Sequence, residues 1–405
     1  MVSITDKGKV AFILVVTFVQ VDPKQEFRLS DKMWASSIQR ILIILNSVWL
    51  ISASISCRDS KGASVDWFIG YKLPVVEGSR SPISGLSFLY LDGYSTSWSK
   101  SEIINSSQSS IALTLAQLYT SIDDPATFYM LYNDEHPETG RTDTYRGHAK
   151  GVTVFNRDSG FWLIHSVPNF PSTRQYTYPA SGHRNGQSFL CITLRSGSLS
   201  ALATQMLYIQ PSIYASQLPT EFASRYPDLQ KVVAKKSLSK SATIFYSVAQ
   251  LESQSGVKFT SFAKHKKFNK DLYSDLVAPQ LKTSLLTETW LNGPGDLPSI
   301  CSSPYKVNNV LSVRVDGNQF ANSKDHSKWA VSADGTDPVL CIGDINRQKS
   351  QWGRGGGTVC IRNTQVWSLY KGSITETEPC DGVTNHPNWS TRLWKRIKGV
   401  FQNKN

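Results

Sequence analysis

The feature that most constrains the fold of this 405-residue chain is an internal duplication. A segment that begins His148-Ala-Lys150 and ends at Asn169 can be laid beside one that begins His326-Ser-Lys328 and ends at Asn346. Each reads His-x-Lys, apolar strand, polar turn, second apolar strand, Asn; the Lys-to-Asn interval is 19 positions in the first and 18 in the second. This is the pattern of two related halves that each offer one hairpin. In an extended segment residues i and i+2 share a face, so each motif sets an imidazole beside an ammonium.

That pairing suits phosphodiester chemistry. Cleavage needs an attacking group, an acid for the departing oxygen, and positive charge around the phosphoryl oxygens. Two imidazoles and two ammoniums facing one phosphate supply all three. One neutral histidine attacks phosphorus and forms a phosphohistidine, while the other, protonated, donates to the leaving oxygen. Lys150 and Lys328 would hold the non-bridging oxygens, with Asn169 and Asn346 as added donors. The scheme needs no metal and no cofactor. His165, in an apolar run, reads as a hydrogen-bonded supporting group. His183 and Arg184, in the loop 181–186, and Arg354, in the glycine-rich run 352–358, are candidate substrate contacts. A Gly-x-Ser-x-Gly elbow, a Walker loop and His-Glu-x-x-His are all missing from the sequence.

The formal charge of +12 favours a polyanionic partner, and 40% hydrophobic with 11% aromatic residues is enough for a sizeable core. Disorder and coiled coil are excluded on this composition. Two apolar runs, 10–19 and 41–51, are each shorter than the roughly 20 residues of a membrane span, so no stable membrane insertion is expected. Met33, Arg40, the second run and the small residues before Cys57 have the order of a secretory signal over 33–56. Residues 1–56 are then an N-terminal extension plus signal, and residues 1–32 have no role in the expected mature protein. All six cysteines follow the expected cleavage point and none forms a CxxC pair, which favours disulfides over zinc. Six cysteines allow 15 pairings. Asn105-Ser-Ser and Asn388-Trp-Ser are glycosylation sequons.

Strands alternate with helical stretches, which argues for an α/β or α+β sandwich. A strand is expected within 65–74, and helices over 110–118 and 217–234, the latter broken by Pro227. The expected domains are a catalytic unit over 57–380, divided near 215 into two halves (57–215 and 216–380), and a basic tail over 381–405. Basic stretches over 231–240 and 264–270 are candidate contacts to a nucleic-acid backbone.

The residues together resemble the deoxyribonuclease II family, relatives of the phospholipase D superfamily. The resemblance is carried by Asp66-Trp-Phe, Tyr71-Lys-Leu-Pro74, Arg146-Gly-His-Ala-Lys-Gly151, the runs 161–171 and 178–188, Ser261-Phe-Ala-Lys264, Asp271-Leu-Tyr273, Asp325-His-Ser-Lys-Trp329 and Gly355-Gly-Gly-Thr358. It implies a phospholipase D-like pseudo-dimer and a metal-independent acid endonuclease on double-stranded DNA, leaving 3′-phosphate and 5′-hydroxyl ends, in a lysosomal or secreted setting. His326 would be essential, with His148, Lys150 and Lys328 completing the catalytic set and His148 the nucleophile by analogy with the superfamily. Disulfides would pair Cys57 with Cys191, Cys301 with Cys380 and Cys341 with Cys360. The superfamily's aspartate after the motif lysine has only an offset counterpart, Asp334, which leaves the orientation of the imidazoles without a partner. The alternatives are a phospholipase D-like phosphodiesterase on phospholipid or RNA, and a catalytically inactive secreted DNA-binding protein. The sequence assigns no oligomeric state. If exposed histidines protonate in acid, the seven would lift the charge from +12 toward +19.

Overall fold

The computed structural model describes residues 2–6, 9–13, 54–75 and 84–379, in two units, Met1–Ala53 and Ser54–Asn405. In the first unit Val2–Asp6 and Lys9–Ile13 pair as an antiparallel hairpin. Most of the expected signal segment, together with Cys380, Asn388 and the basic tail, lies outside the described residues. Among the described residues no helix is long and apolar enough to cross a membrane.

The second unit is a mixed α/β fold with large sheets and few helices. The first sheet takes strands β1 (Trp67–Lys72), β2 (Phe88–Asp92), β3 (Ser99–Lys100), β4 (Phe128–Tyr132), β5 (Gly151–Phe155), β6 (Ser159–His165), β7 (Gln187–Arg195) and β8 (Ile213–Gln217), in the spatial order β8-β4-β5-β6-β7-β1-β2-β3. The second takes β9 (Tyr246–Glu252), β10 (Lys258–Lys264), β11 (Leu285–Thr289), β12 (Val307–Val315), β13 (Asn318–Ala321), β14 (Lys328–Ser332), β15 (Val339–Gly343) and β16 (Gly356–Arg362), in the order β9-β10-β16-β15-β14-β11-β12-β13. A further strand, β17 (Ile374–Thr377), pairs with β12. The β11–β12 pair is parallel and the rest of these pairings are antiparallel. The first sheet ends at Gln217, so a boundary at 215 falls inside its last strand.

Burial on both faces explains why the central strands read as continuous apolar runs. In β6, Trp162 and Ile164 enter a core shared by both sheets, while Phe161 and Leu163 pack on the outer face against Ile111, Leu115 and Leu118. In β15, Leu340 and Ile342 enter the shared core, and Val339 and Cys341 face the other way. Alternate residues therefore serve two layers, as the pleat requires. Helix α1 (Ser110–Ser121) starts at Ser109, whose Oγ accepts from the amide of Ala112 at 3.2 Å. Helix α2 (Leu199–Ile209) joins the shared core, as do residues of α3 (Thr220–Arg225) and α4 (Pro227–Val233). Pro227 opens α4 at a position where its missing N–H costs no helical bond, and the expected break is there.

The duplicated segments occupy corresponding places. β5-β6-β7 and β14-β15-β16 are the central antiparallel meanders of their sheets, and each follows its His-x-Lys motif. Cys57–Cys191 ties the chain before β1 to β7, and Cys341–Cys360 joins β15 to β16. The pairing implied for Cys301 involves Cys380, outside the described residues.

Candidate active site

The two histidines are held in the same way, each by the other half of the chain. His148 points Nδ1 at the carbonyl oxygen of Asp344, the residue after β15, and its amide donates to the Gly355 carbonyl at 2.9 Å. His326 points Nδ1 at the carbonyl of Ser166, the residue after β6, at 2.9 Å, and its amide donates to the Gly186 carbonyl at 2.9 Å. A backbone carbonyl only accepts, so Nδ1 carries the hydrogen in both rings and Nε2 keeps its lone pair. The ring of Trp290 stands edge-on to His326 at 4.6 Å. Backbone carbonyls thus do the orienting that the sequence offered no aspartate for. Asp334 is exposed and bonds Thr336 in its own turn.

The lysines are buried with them. Lys150 donates to Asp134 and lies 3.8 Å from Glu135; Lys328 donates to the carbonyl of His326 at 2.6 Å. An ammonium has three donors, so each keeps donors for a ligand. Burial and Lys150 lower the Lys328 pKa to about 7. Burial, the largest cause, holds both imidazoles well below the usual histidine range; Lys328 and Lys150 add to it at His326. At His148, Asp134 opposes the shift while Lys150, Arg354 and Lys328 reinforce it. Charges of both motifs therefore act on each other at one locus, and both rings resist protonation.

Asp134, two residues past β4, belongs to no motif and was missed from sequence. It binds Lys150 and accepts from Arg354 Nη1 at 3.1 Å, with His148 Nε2 at 3.9 Å. Burial alone would raise its pKa, but Lys150, His148 and Arg354 together hold it well below the usual carboxylate range. Asp344 is the opposite case: burial pushes its carboxyl up to about 7, against the Gly357 amide that donates to it at 2.9 Å.

The chain matches the family model "Deoxyribonuclease II" over residues 56–380. It is 42% identical to cell-death-related nuclease 7 of Caenorhabditis elegans across 84% of this chain and 92% of that protein. It is also 39% identical to deoxyribonuclease-2 of the same organism (83% and 97%) and 38% identical to human deoxyribonuclease-2-beta (81% and 92%). This chain belongs to the deoxyribonuclease II family. It is an endonuclease of that family.

In this family member the remaining candidates have varied settings. Arg354 directs its guanidinium inward, to Asp134 and to the carbonyls of Arg146 (3.0 Å), Asp143 (2.7 Å) and Gly147 (3.2 Å), so it clamps the loop that leads into His148. The amide group of Asn169 donates to the His136 carbonyl at 3.2 Å, whereas Oδ1 of buried Asn346 has no hydrogen-bond partner among the described residues. His165 is fully buried, accepts from the amide of Val167 at 3.2 Å and is held at about 3 by burial. His183 stacks on Tyr178 at 5.7 Å, and Arg184 is exposed. Lys264, counted with the basic stretch 264–270, is fully buried and is no surface contact. Within the glycine run Gly356 and Gly357 are part of β16, and the Gly357 amide is taken by Asp344. Asn105 is exposed in the turn before α1.

Burial lowers the pKa of His136, His148, His165, His183, His265 and His326, so each of these six charges less readily in acid than an exposed histidine; His386 lies outside the described residues.

Proposed function

We propose that this member of the deoxyribonuclease II family is a metal-independent acid endodeoxyribonuclease that cleaves double-stranded DNA to 3′-phosphate and 5′-hydroxyl ends through a phosphohistidine. The observation that supports the reading is the pair of imidazoles with Nδ1 directed at a carbonyl, which leaves the lone pair on Nε2. The relatives named deoxyribonuclease-2 support DNA as the substrate.

In this mechanism a phosphodiester settles against Lys150 and Lys328. Its negative charge favours the protonated form of one imidazole, offsetting the burial and cation repulsion that keep both rings neutral beforehand. Nε2 of the other ring attacks phosphorus; the N–P bond forms, the P–O5′ bond breaks, and the 5′-oxygen takes the proton from the charged imidazole. That imidazole, now neutral, takes a proton from water as the water attacks phosphorus. The N–P bond breaks and the 3′-phosphate leaves. Acid favours this site for two reasons: Lys328, with a pKa of about 7, is charged, and Asp344, also at about 7, is not.

The two meanders in matching places support a phospholipase D-like pseudo-dimer within a catalytic unit over 57–380. Two disulfides and the exposed Asn105 suit a secreted or lysosomal route. The test is cleavage of duplex DNA at pH 5 in excess chelator, with end-group analysis, for the wild type and His326→Ala. The wild type should cut and leave 3′-phosphates. Loss of cutting in chelator, or a variant as active as its parent, overturns the mechanism.

A further inference from the structure

Two lysines outside the His-x-Lys motifs occupy matching places in the two sheets. Lys72 is the last residue of β1, opposite Gln187 at the start of β7; Lys264 is the last residue of β10, opposite Gly356 at the start of β16. Both are fully buried. Among the described residues neither ammonium is used on a carboxylate: Lys72 donates to the carbonyls of His183 (2.7 Å) and Asn185, and Lys264 to those of Gln351 (2.8 Å), Trp352 (3.0 Å) and Arg354 (2.6 Å). In each case the bonded carbonyls belong to the loop just before a glycine. Those glycines are Gly186 and Gly355, whose own carbonyls receive the amides of His326 and His148. Neither glycine has room for a side chain, since a Cβ would lie 2.3 Å from Asp325 Oδ1 at Gly186 and 2.0 Å from the Ile209 carbonyl at Gly355.

We infer that Lys72 and Lys264 are positioning residues of the reaction, Lys72 setting His326 and Lys264 setting His148 through the loops they gather. A buried ammonium bonded to two or three carbonyls makes charge-assisted bonds about twice as strong as neutral ones. A neutral side chain there leaves carbonyls unpaired and frees the loop, and a shift of about 1 Å at a reacting group costs on the order of 10²-fold in rate. The arrangement is crossed, so each lysine serves a histidine of the other half and, with it, one chemical role.

The inference rests on the proposed sharing of roles between His148 and His326, and its test separates the two. Lys72→Met and Lys264→Met are assayed on duplex DNA and on thymidine 3′-(4-nitrophenyl phosphate), whose nitrophenolate leaves without a proton. Both variants should lose about 10²-fold in kcat on DNA with KM little changed. One of them, the lysine behind the general acid, should recover on the nitrophenyl ester while the other does not. Lys72→Gln and Lys264→Gln, which keep a donor without the charge, should give the same split with smaller losses, and melting curves establish that each variant is folded. Equal losses on both substrates that follow the drop in Tm, or full activity on DNA, overturn the positioning role. His148→Ala and His326→Ala run alongside: if these stay active, the shared-histidine mechanism has failed instead.

Discussion

His148 directs Nδ1 at the carbonyl oxygen of Asp344, 196 residues further along the chain, and so takes its tautomer from the opposite sheet. His326 does the same with Ser166, at a separation of 160. Each half takes the orientation of its imidazole from the other, and in the proposed mechanism the two rings act as one unit. His148→Ala and His326→Ala should each lower kcat on DNA by about 10³-fold or more, and the double variant should be little worse than either. Single-turnover rates for the three proteins check this. Losses that multiply would mean that the histidines act independently.

Asp134 is the carboxylate that Lys150, Arg354 and His148 share, with Glu135 a second carboxylate 3.8 Å from Lys150. Asp134→Ala takes the carboxylate partner from Arg354 and leaves Lys150 only Glu135 at 3.8 Å, which should cost about 3–5 kcal/mol of stability. The sign of its pH dependence follows from the depressed pKa. The stability this carboxylate contributes is present above its ordinary 3.8 and is lost only as pH falls below that toward the folded value. Denaturant titrations should therefore find the same deficit at pH 5 and pH 7. A deficit that disappears by pH 5 would mean that Asp134 is not held ionised.

Asp344 has the opposite linkage. Its folded pKa is raised to about 7, so the stability tied to its protonated form is complete below 3.8 and is lost as pH rises to about 7. Asp344→Asn keeps an acceptor for the Gly357 amide but never ionises. Its Tm should match the wild type near pH 4 and exceed it by several degrees at pH 7.5. Paired melts across this range are the measurement; a constant difference at all pH values would remove Asp344 as a titrating group.

What could be read from sequence was whatever repeats in side chains. The His-x-Lys copies, the apolar runs around Trp162 and Leu340, and the helix break at Pro227 are local patterns of i, i+2 spacing, of unbroken apolar sequence or of proline chemistry, and each is in the structure where its residues place it. What could not be read was held by backbone. The groups that orient His148 and His326 are carbonyls, which every residue has, so a search for a side chain led to Asp334, an exposed turn residue. Asp134 reaches Lys150 only because β4 lies beside β5. Lys72 and Lys264 stood in segments that carried the family resemblance, but a lysine at a strand end reads as solvated until its loop is folded over it.

The two disulfides among the described residues close loops of very different size. Cys57–Cys191 spans 134 positions and Cys341–Cys360 spans 19, and the latter pair lies directly opposite in register on adjacent strands. Chain entropy then assigns about 5 kcal/mol to the first and about 3 kcal/mol to the second, because a cross-link restricts the unfolded chain more when its loop is longer. Replacing Cys57 and Cys191 by serine should lower the unfolding free energy by about 2 kcal/mol more than replacing Cys341 and Cys360. Ladder bonds between β15 and β16 persist without their bridge, whereas the segment before β1 loses its covalent tie to β7. Denaturant midpoints and m-values for the two double variants decide the point. Equal losses, or a larger loss from the short bridge, would show that native-state packing around Cys341 and Cys360 outweighs the entropy of the longer loop.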